Sequence, residues 1–269
     1  MTATKATSAE TSLRQAAIAY SLRLGDDAFI LSHRLAEWIA SAPELEEDVA
    51  LANISLDLLG QARLLLGYAG ELEGSAGAPG RSEDDLAFLR DDRAFLNCLL
   101  VEQPNGDFAA TIARQLFFTT YQLALYQALL TSVDERLAAI AAKAVKEVAY
   151  HRDHTSVWTV RLGDGTQFSR SRMQAAVIQL WPYVDELFDS DDVTRTLAEV
   201  GVTIDPPSLR APWDGHIRDV LAEATLDVPE PGDTLASRRG GRSGLHSESF
   251  GYLIAEMQHV HRSYPGAKW

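Results

Sequence analysis

Apolar residues recur at helical spacing along most of the chain, and no stretch alternates with the two-residue period of a β-strand. Residues 11–40 predict a first long helix, with apolar positions such as Ile18 and Leu22. A second helix is predicted to begin within Ser41-Ala-Pro-Glu44, which has a capping-box pattern, and to run to about Glu73. Because apolar residues occupy nearly every side of this second helix, we expect it to be central and enclosed.

Two further long helices complete a predicted four-helix core over about residues 11–162. Asp107 can cap the third helix, which is predicted to reach about Thr131, and the fourth is predicted from about Asp134 to Leu162. A shorter helical region is expected between the second and third helices, over about residues 82–101. Four long helices with short links are typical of a bundle, so the sequence predicts an all-α fold.

Beyond this core, residues 169–265 predict an extension of additional C-terminal helices, separated by proline- and glycine-rich links. We interpret residues 11–269 as a single domain that follows a disordered N-terminal segment, residues 1–10. Within the extension, Arg238, Arg239 and Arg242 form a compact basic cluster in an otherwise acidic chain. We expect a solvated, mobile segment there, and contact with a phosphate or an acidic partner is the alternative.

Charge and composition exclude several classes of function. The net charge of −14 and the pI of about 4.9 argue against binding to nucleic acid or to an anionic membrane. No window approaches the roughly 18 consecutive apolar residues of a membrane span. The first ten residues lack the apolar middle part of a signal peptide. We therefore expect a cytoplasmic protein that binds neither nucleic acid nor a membrane.

The fourth predicted helix carries a carboxylate and an imidazole one turn apart, at Glu147 and His151. Both lie on the stripe of apolar residues and so are expected to point towards the core. Carboxylate-bridged di-metal sites in helix bundles use Glu-x-x-His pairs, but here Tyr150 takes the i+3 position. Glu37 and Asp57, on the first and second helices, complete the candidate ligand set.

The supply of further ligands falls short of the roughly six that a di-iron bundle needs. His33 is next to Glu37 on the first helix, and Asn53 and Gln61 accompany Asp57 on the second. The third helix has no Asp, Glu or His between its two ends, and its neutral oxygens are poor ligands for iron. These neutral candidates are Thr111, Gln115, Thr119, Thr120 and Gln122.

We therefore interpret Glu37, Asp57, Glu147 and His151 as a degenerate remnant of a metal site, held in a buried polar network. A working metal site remains the alternative hypothesis. Since a buried carboxylate without a partner is costly, each acid should pair with a base or an amide. The candidate basic partners are Arg34, Arg63, Arg114, Lys143 and Lys146. No catalytic, metal-binding or cofactor-binding residue is predicted in this chain.

Several motifs distributed along the chain resemble those of a known family. They are Leu22-Arg-Leu-Gly-Asp-Asp27, Pro43-Glu-Leu-Glu46, Leu51-Ala-Asn-Ile54, Leu56-Asp-Leu-Leu-Gly-Gln-Ala-Arg63, Val101-Glu-Gln-Pro-Asn-Gly106, Thr111-Ile-Ala-Arg114, Ala142-Lys-Ala144 with Lys146-Glu147, Gly244-Leu-His246 and Ala255-Glu-Met-Gln258. Together they resemble the PaaC family, the C subunits of bacterial 1,2-phenylacetyl-CoA epoxidases, and the resemblance covers nearly all of residues 20–269.

The resemblance implies a ferritin-like fold and membership of a multicomponent monooxygenase of aerobic phenylacetate degradation. In that system a related catalytic protein, the A subunit, carries the di-iron centre and binds phenylacetyl-CoA. A separate reductase with FAD and an iron–sulfur cluster delivers electrons from NADPH. The C subunit is understood as a structural partner of the A subunit, which implies that this chain is non-catalytic and part of a hetero-oligomer.

Two alternatives to a structural subunit remain at this point. The chain could be a self-sufficient di-metal oxygenase or oxidase, or a helical binding protein without an oxygenase partner. If it is a structural subunit, we expect exposed positions of the first and second helices to form a large apolar interface. Acidic residues such as Asp48 and Glu71 would then lie at its rim.

Overall fold

The computed structural model describes residues 2–74, 78–230 and 235–267, with side chains from Glu10 onward. Within these ranges the chain forms α-helices and short 3-10 helices but no β-strand, which confirms the predicted all-α fold. The α-helices are α1 (Thr2–Ala36), α2 (Leu45–Glu73), α3 (Glu83–Phe88), α4 (Phe108–Leu129), α5 (Glu135–Gly163), α6 (Gln167–Leu180), α7 (Asp192–Glu199), α8 (Arg210–Glu223) and α9 (Glu248–Ser263).

The four long helices α1, α2, α4 and α5 form the core, close to the predicted bounds. Asp107 and Asp134 cap α4 and α5, because their carboxylates accept hydrogen bonds from backbone N–H groups of the first turn. The capping box predicted before α2 does not form, since the N-cap residue Glu44 makes no side-chain bond to the helix. In residues 1–10, the structure describes a helical backbone from Thr2 and, of the side chains, only that of Glu10. The predicted disorder of this segment stays a prediction.

The enclosed helices are α1 and α4, and the prediction that α2 is enclosed was wrong. α4 buries 17 of its 22 residues, whereas α2 buries only 11 of 29. In α1, residues 16–35 are buried except for Ala19 and His33, which are partly buried. α2 is also the one helix in the described ranges that is long and apolar enough to cross a membrane, by length and composition only. Here its inward face packs against α1 and α5.

The C-terminal extension covers α1, α4 and part of α5. α6 and α8 pack against both α4 and α5, and α7 packs against α1. Trp213 of α8 is fully buried and donates a hydrogen bond from Nε1 to the Phe117 carbonyl at 2.9 Å. The predicted bend at Pro182 is present, because α6 ends at Leu180 and a 3-10 helix follows (Trp181–Tyr183).

The helical region predicted over residues 82–101 ends early, at Phe88. A 3-10 helix (Asp92–Ala94) follows, and residues 95–107 form turns and irregular backbone. Carboxylates from other elements replace the helical hydrogen bonds here: Asp26 accepts from the Leu96 N–H and Asp27 from the Cys98 N–H, both at 2.8 Å. Because buried N–H groups need an acceptor from any source, these contacts stabilise a non-helical path.

Candidate functional site

A chain of hydrogen bonds joins α2, α4 and α5 where a bundle metal site would lie. Gln61 donates from Nε2 to Glu147 Oε2 at 3.1 Å. The Gln61 Oε1 atom accepts from Gln122 Nε2 at 3.1 Å and from the Tyr126 hydroxyl at 3.3 Å. We call these four residues the polar layer. α4 contributes an amide and a phenol to it, and the one acidic side chain in it is that of Glu147.

A second contact between α2 and α5 joins Asp57 and His151, whose Oδ2 and Nε2 atoms are 3.0 Å apart. The imidazole is fully buried, whereas 38% of the Asp57 side chain is exposed. Burial lowers the pKa of His151, although the hydrogen bond to Asp57 opposes that shift. At neutral pH a neutral imidazole therefore donates its Nε2–H to a carboxylate at the protein surface.

The same two helices hold a further pair that the sequence analysis did not identify, Glu47 with His154. Their Oε2 and Nε2 atoms are 2.8 Å apart, and both side chains are about nine-tenths buried. Since Glu47 lies in the first turn of α2, its position in the linear sequence suggested only a favourable helix-dipole interaction.

Glu37 does not join these residues, so the predicted remnant of four residues is not one site. α1 ends at Ala36, and Glu37 turns to other partners. It accepts from Arg34 Nη1 at 2.8 Å and from Asn105 Nδ2 at 2.9 Å. Arg34 is therefore a basic partner of Glu37, as predicted, whereas Arg63 pairs with Glu83, outside the predicted set of acids. Lys143 and Lys146 are exposed and form no ion pair within the described residues.

The arrangement does not fit a di-iron centre. Within the described ranges no group of three or more His, Cys, Asp or Glu residues is placed to hold a metal ion. Asp57 and Glu147 each bond to a neighbouring side chain. Gln115 of α4 is buried, and no described residue bonds its amide, but one neutral amide is a weak ligand for iron.

Replacing Asp57 with alanine should lower stability without changing the metal content. The substitution removes the acceptor of the buried His151 Nε2–H, so we expect a loss of about 1 kcal/mol in the free energy of unfolding. Urea denaturation and elemental analysis of both proteins measure the two effects. Asp153→Ala on α5 is the control, since 72% of that side chain is exposed. Unchanged stability together with lost iron would contradict the prediction.

A further group of ionic contacts lies elsewhere in the described part of the chain, around four buried acids that we call the acid cluster. Its members are Asp26, Asp27, Glu102 and Glu186, all with less than one-tenth of their surface exposed. Asp26 pairs with the buried Arg90. Asp27 accepts from Arg242 at 2.7 Å, and although burial opposes it, the charge of Asp27 raises the pKa of the Arg242 guanidinium. The cluster therefore ties α1 to distant parts of the chain.

The other two acids bind backbone N–H groups of the C-terminal extension. Glu186 accepts from Gly240 and Gly241, both at 2.8 Å. Glu102 accepts from the Ser247 N–H at 2.6 Å and from His246 Nδ1 at 2.7 Å. Each carboxylate thus fixes a stretch of backbone that has little regular secondary structure of its own.

The expectation that Arg238, Arg239 and Arg242 lie in a solvated, mobile segment was wrong for Arg242, whereas Arg238 and Arg239 are exposed to solvent. Arg242 is held against Asp27, and Arg239 pairs with Asp189 at 2.5 Å. The Arg238 guanidinium lies over the Tyr183 ring, 6.0 Å from its centre. No local pattern in the sequence indicates these contacts, because Asp27 and Asp189 lie 215 and 50 residues away from Arg242 and Arg239.

The fold and the polar layer between α2, α4 and α5 define an all-α, ferritin-like helix-bundle protein with additional C-terminal helices. The chain belongs to the family of phenylacetic acid catabolic proteins, which matches residues 1–269. It is similar to the C subunit of 1,2-phenylacetyl-CoA epoxidase from Escherichia coli (strain K12), with 51% identity over 251 residues. That similarity covers 93% of this chain and 98% of the relative. The predicted family is therefore confirmed.

Proposed function

We propose that this chain is a non-catalytic, structural subunit of a multicomponent 1,2-phenylacetyl-CoA epoxidase that supports a di-iron catalytic subunit. The observation that carries the proposal is 51% identity to the C subunit of such an epoxidase over almost the full length of both proteins. We place the complex in the cytoplasm.

The donor set in the core supports the non-catalytic role. α4 supplies Gln122 and Tyr126 to the polar layer, where a di-iron bundle would require carboxylate or imidazole ligands. We therefore assign the di-iron centre to the catalytic partner, and FAD, the iron–sulfur cluster and NADPH to a reductase. This chain would act by holding the partner's helices in the geometry that its ligands and substrate pocket need.

Reconstitution tests this function directly. The catalytic subunit should be poorly active or aggregated when it is prepared alone, and co-expression with this chain should restore epoxidation of phenylacetyl-CoA in the presence of reductase and NADPH. The purified complex should contain two iron atoms for each catalytic subunit, with none needed for this chain. Activity and stoichiometric iron in this chain alone would instead favour the self-sufficient di-metal oxygenase. Equal activity of the catalytic subunit with and without this chain would contradict the supporting role.

A further inference from the structure

One side of the bundle stays uncovered, and it is formed by α2 and α5. The extension packs on α1 and α4, and its helices α6 and α8 also pack against part of α5, but the outer positions of α2 and of the middle of α5 remain exposed. We call these outer positions the α2–α5 strip. It consists of Leu45, Val49 and Leu56 on α2 with Lys143, Lys146 and Tyr150 on α5, all of them exposed.

The strip is apolar along α2 although the chain as a whole is strongly acidic. Between Val49 and Arg63 the most exposed residues of α2 are Asn53 and Leu56, which are neutral, and the one acid there, Asp57, is bonded to His151. Leu56 is 64% exposed, although a leucine at the surface of a helix gains nothing from contact with water. An apolar row of this kind on a folded protein marks an interaction surface.

The two lysines give the strip a charge that contrasts with the rest of the molecule. Lys143 and Lys146 are exposed, and neither has an ion-pair partner among the described residues. Lys143 and Leu56 line one cavity of about 100 Å³ between α2 and α5, so the apolar and basic parts are continuous. The acids Asp57 and Glu147 line the same cavity, but each is bonded to a side chain of this chain, His151 and Gln61. A surface that complements this strip has an apolar centre with carboxylates opposite the lysines.

We infer that the α2–α5 strip binds the catalytic partner through a contact surface that is apolar in its centre and carries carboxylates opposite Lys143 and Lys146. The inference rests on the proposed function and names the face through which that function operates. It replaces the expected interface on the first and second helices, because α1 is enclosed.

Two other occupants fit the strip less well. An anionic membrane would face Glu44 and Glu46, which lie beside Leu45 and are exposed. A second copy of this chain would bring together two bodies that each carry a charge of −14. A different protein with a complementary acidic border meets neither of these obstacles.

The first experiment measures binding of the purified catalytic subunit to variants of this chain. Leu56→Asp should weaken the complex by about 30-fold or more, as expected for a central apolar position of an interface. Tyr252→Asp on α9 is the matched control, because its side chain is 73% exposed but lies outside the strip. It should change the affinity by less than about twofold. Circular dichroism and thermal unfolding establish that both variants fold like the unmodified chain.

A charge reversal tests the lysines separately. Lys143→Glu should slow association by about 10-fold at low salt, and the difference should shrink as salt screens the charges. Arg218→Glu on α8, which is exposed and forms no ion pair with another described residue, makes the same change of charge away from the strip. It should leave the association rate nearly unchanged. Equal effects of the two reversals would overturn the role of Lys143.

The outcomes separate the surface from the function. If the catalytic subunit binds the unmodified chain and the Leu56→Asp variant equally well, the strip is not the interface and the proposed function stands. If the unmodified chain binds no catalytic subunit, the proposed function fails. Self-association of the unmodified chain that Leu56→Asp abolishes would assign the strip to a second copy. Leu56-dependent binding to vesicles of phosphatidylcholine and phosphatidylglycerol would assign it to a membrane, and either result overturns the inference.

Discussion

Replacing Arg242 with alanine is expected to lower the free energy of unfolding by about 3–5 kcal/mol, because the change leaves the buried Asp27 carboxylate without its partner. Arg242 donates to both Asp27 oxygens, at 2.9 and 2.7 Å, and its Nη1 also donates to the Leu96 carbonyl at 3.1 Å. Removing the guanidinium therefore leaves the Asp27 carboxylate and the Leu96 carbonyl without this donor. It also weakens the hold on the irregular backbone around Leu96. Urea denaturation monitored by circular dichroism measures the loss.

Arg239→Ala provides the control within the same segment. Its ion pair with Asp189 lies at the surface, with about half of the arginine side chain exposed, so we expect a loss of only about 0–1 kcal/mol. The double replacement Asp27→Asn with Arg242→Met should recover part of the stability, because no unpaired charge then remains in the core. If Arg242→Ala and Arg239→Ala destabilised the protein equally, the acid cluster would not have the structural role assigned to it.

The acid cluster explains why the C-terminal extension belongs to the same folded unit as the four long helices. Asp27 of α1 reaches Arg242, and Glu102, before α4, reaches His246 and Ser247. These contacts join parts of the chain that are more than 140 residues apart. The layer that covers α1 and α4 is therefore held by buried charges as well as by apolar packing. That coverage leaves the outer positions of α2 and of the middle of α5 exposed.

The sequence predicted the helices well because helical periodicity and capping are local properties. α4 and α5 end within two residues of their predicted bounds, and Asp107 and Asp134 cap them as expected. Whether a helix is enclosed by other elements is not a local property of its sequence. α2 is apolar on nearly every side, but whether a side is covered depends on where the extension packs, and no pattern within α2 records that position.

In the candidate site, too, the local features were predicted and the contacts between distant residues were not. Glu147 and His151 were predicted to point inward from the helical stripe, and they meet Gln61 and Asp57 of α2. Glu37 was misplaced because the prediction extended its helix beyond Ala36, where α1 ends. The path of residues 95–107 could not be predicted either, since its N–H groups bond to carboxylates that are distant in the sequence, such as Glu186.

The stability of the protein should also fall as the pH is lowered from about 6.5 to 4, and His33 should contribute a measurable part of that loss. His33 of α1 packs its ring edge-on against Phe29, 4.7 Å between ring centres. Burial lowers its pKa from 6.5 to about 4. Between these two values the unfolded chain binds a proton at this position and the folded chain does not, so acid favours unfolding. The contribution is fully present above pH 6.5.

The expected slope is about 1.4 kcal/mol in the free energy of unfolding for each pH unit, for one such histidine. His151 and His216 add to it, because burial lowers their pKa values too. His246 acts in the opposite direction: Glu102 raises its pKa against the effect of burial, and its stabilisation is lost as the pH rises through the raised value.

His33→Leu isolates the contribution of His33, since the carboxylates and the other histidines remain in both proteins. Urea denaturation at intervals from pH 7 to 4.5 should show a slope for the variant that is lower by about 1.4 kcal/mol per pH unit below pH 6.5. His259→Leu, at an exposed position of α9, should leave the slope unchanged. The absolute stability of His33→Leu is a separate quantity, because a leucine changes the packing against Phe29. Parallel curves for the variant and the unmodified chain would therefore mean that His33 is protonated in the folded state, against its burial beside an aromatic ring.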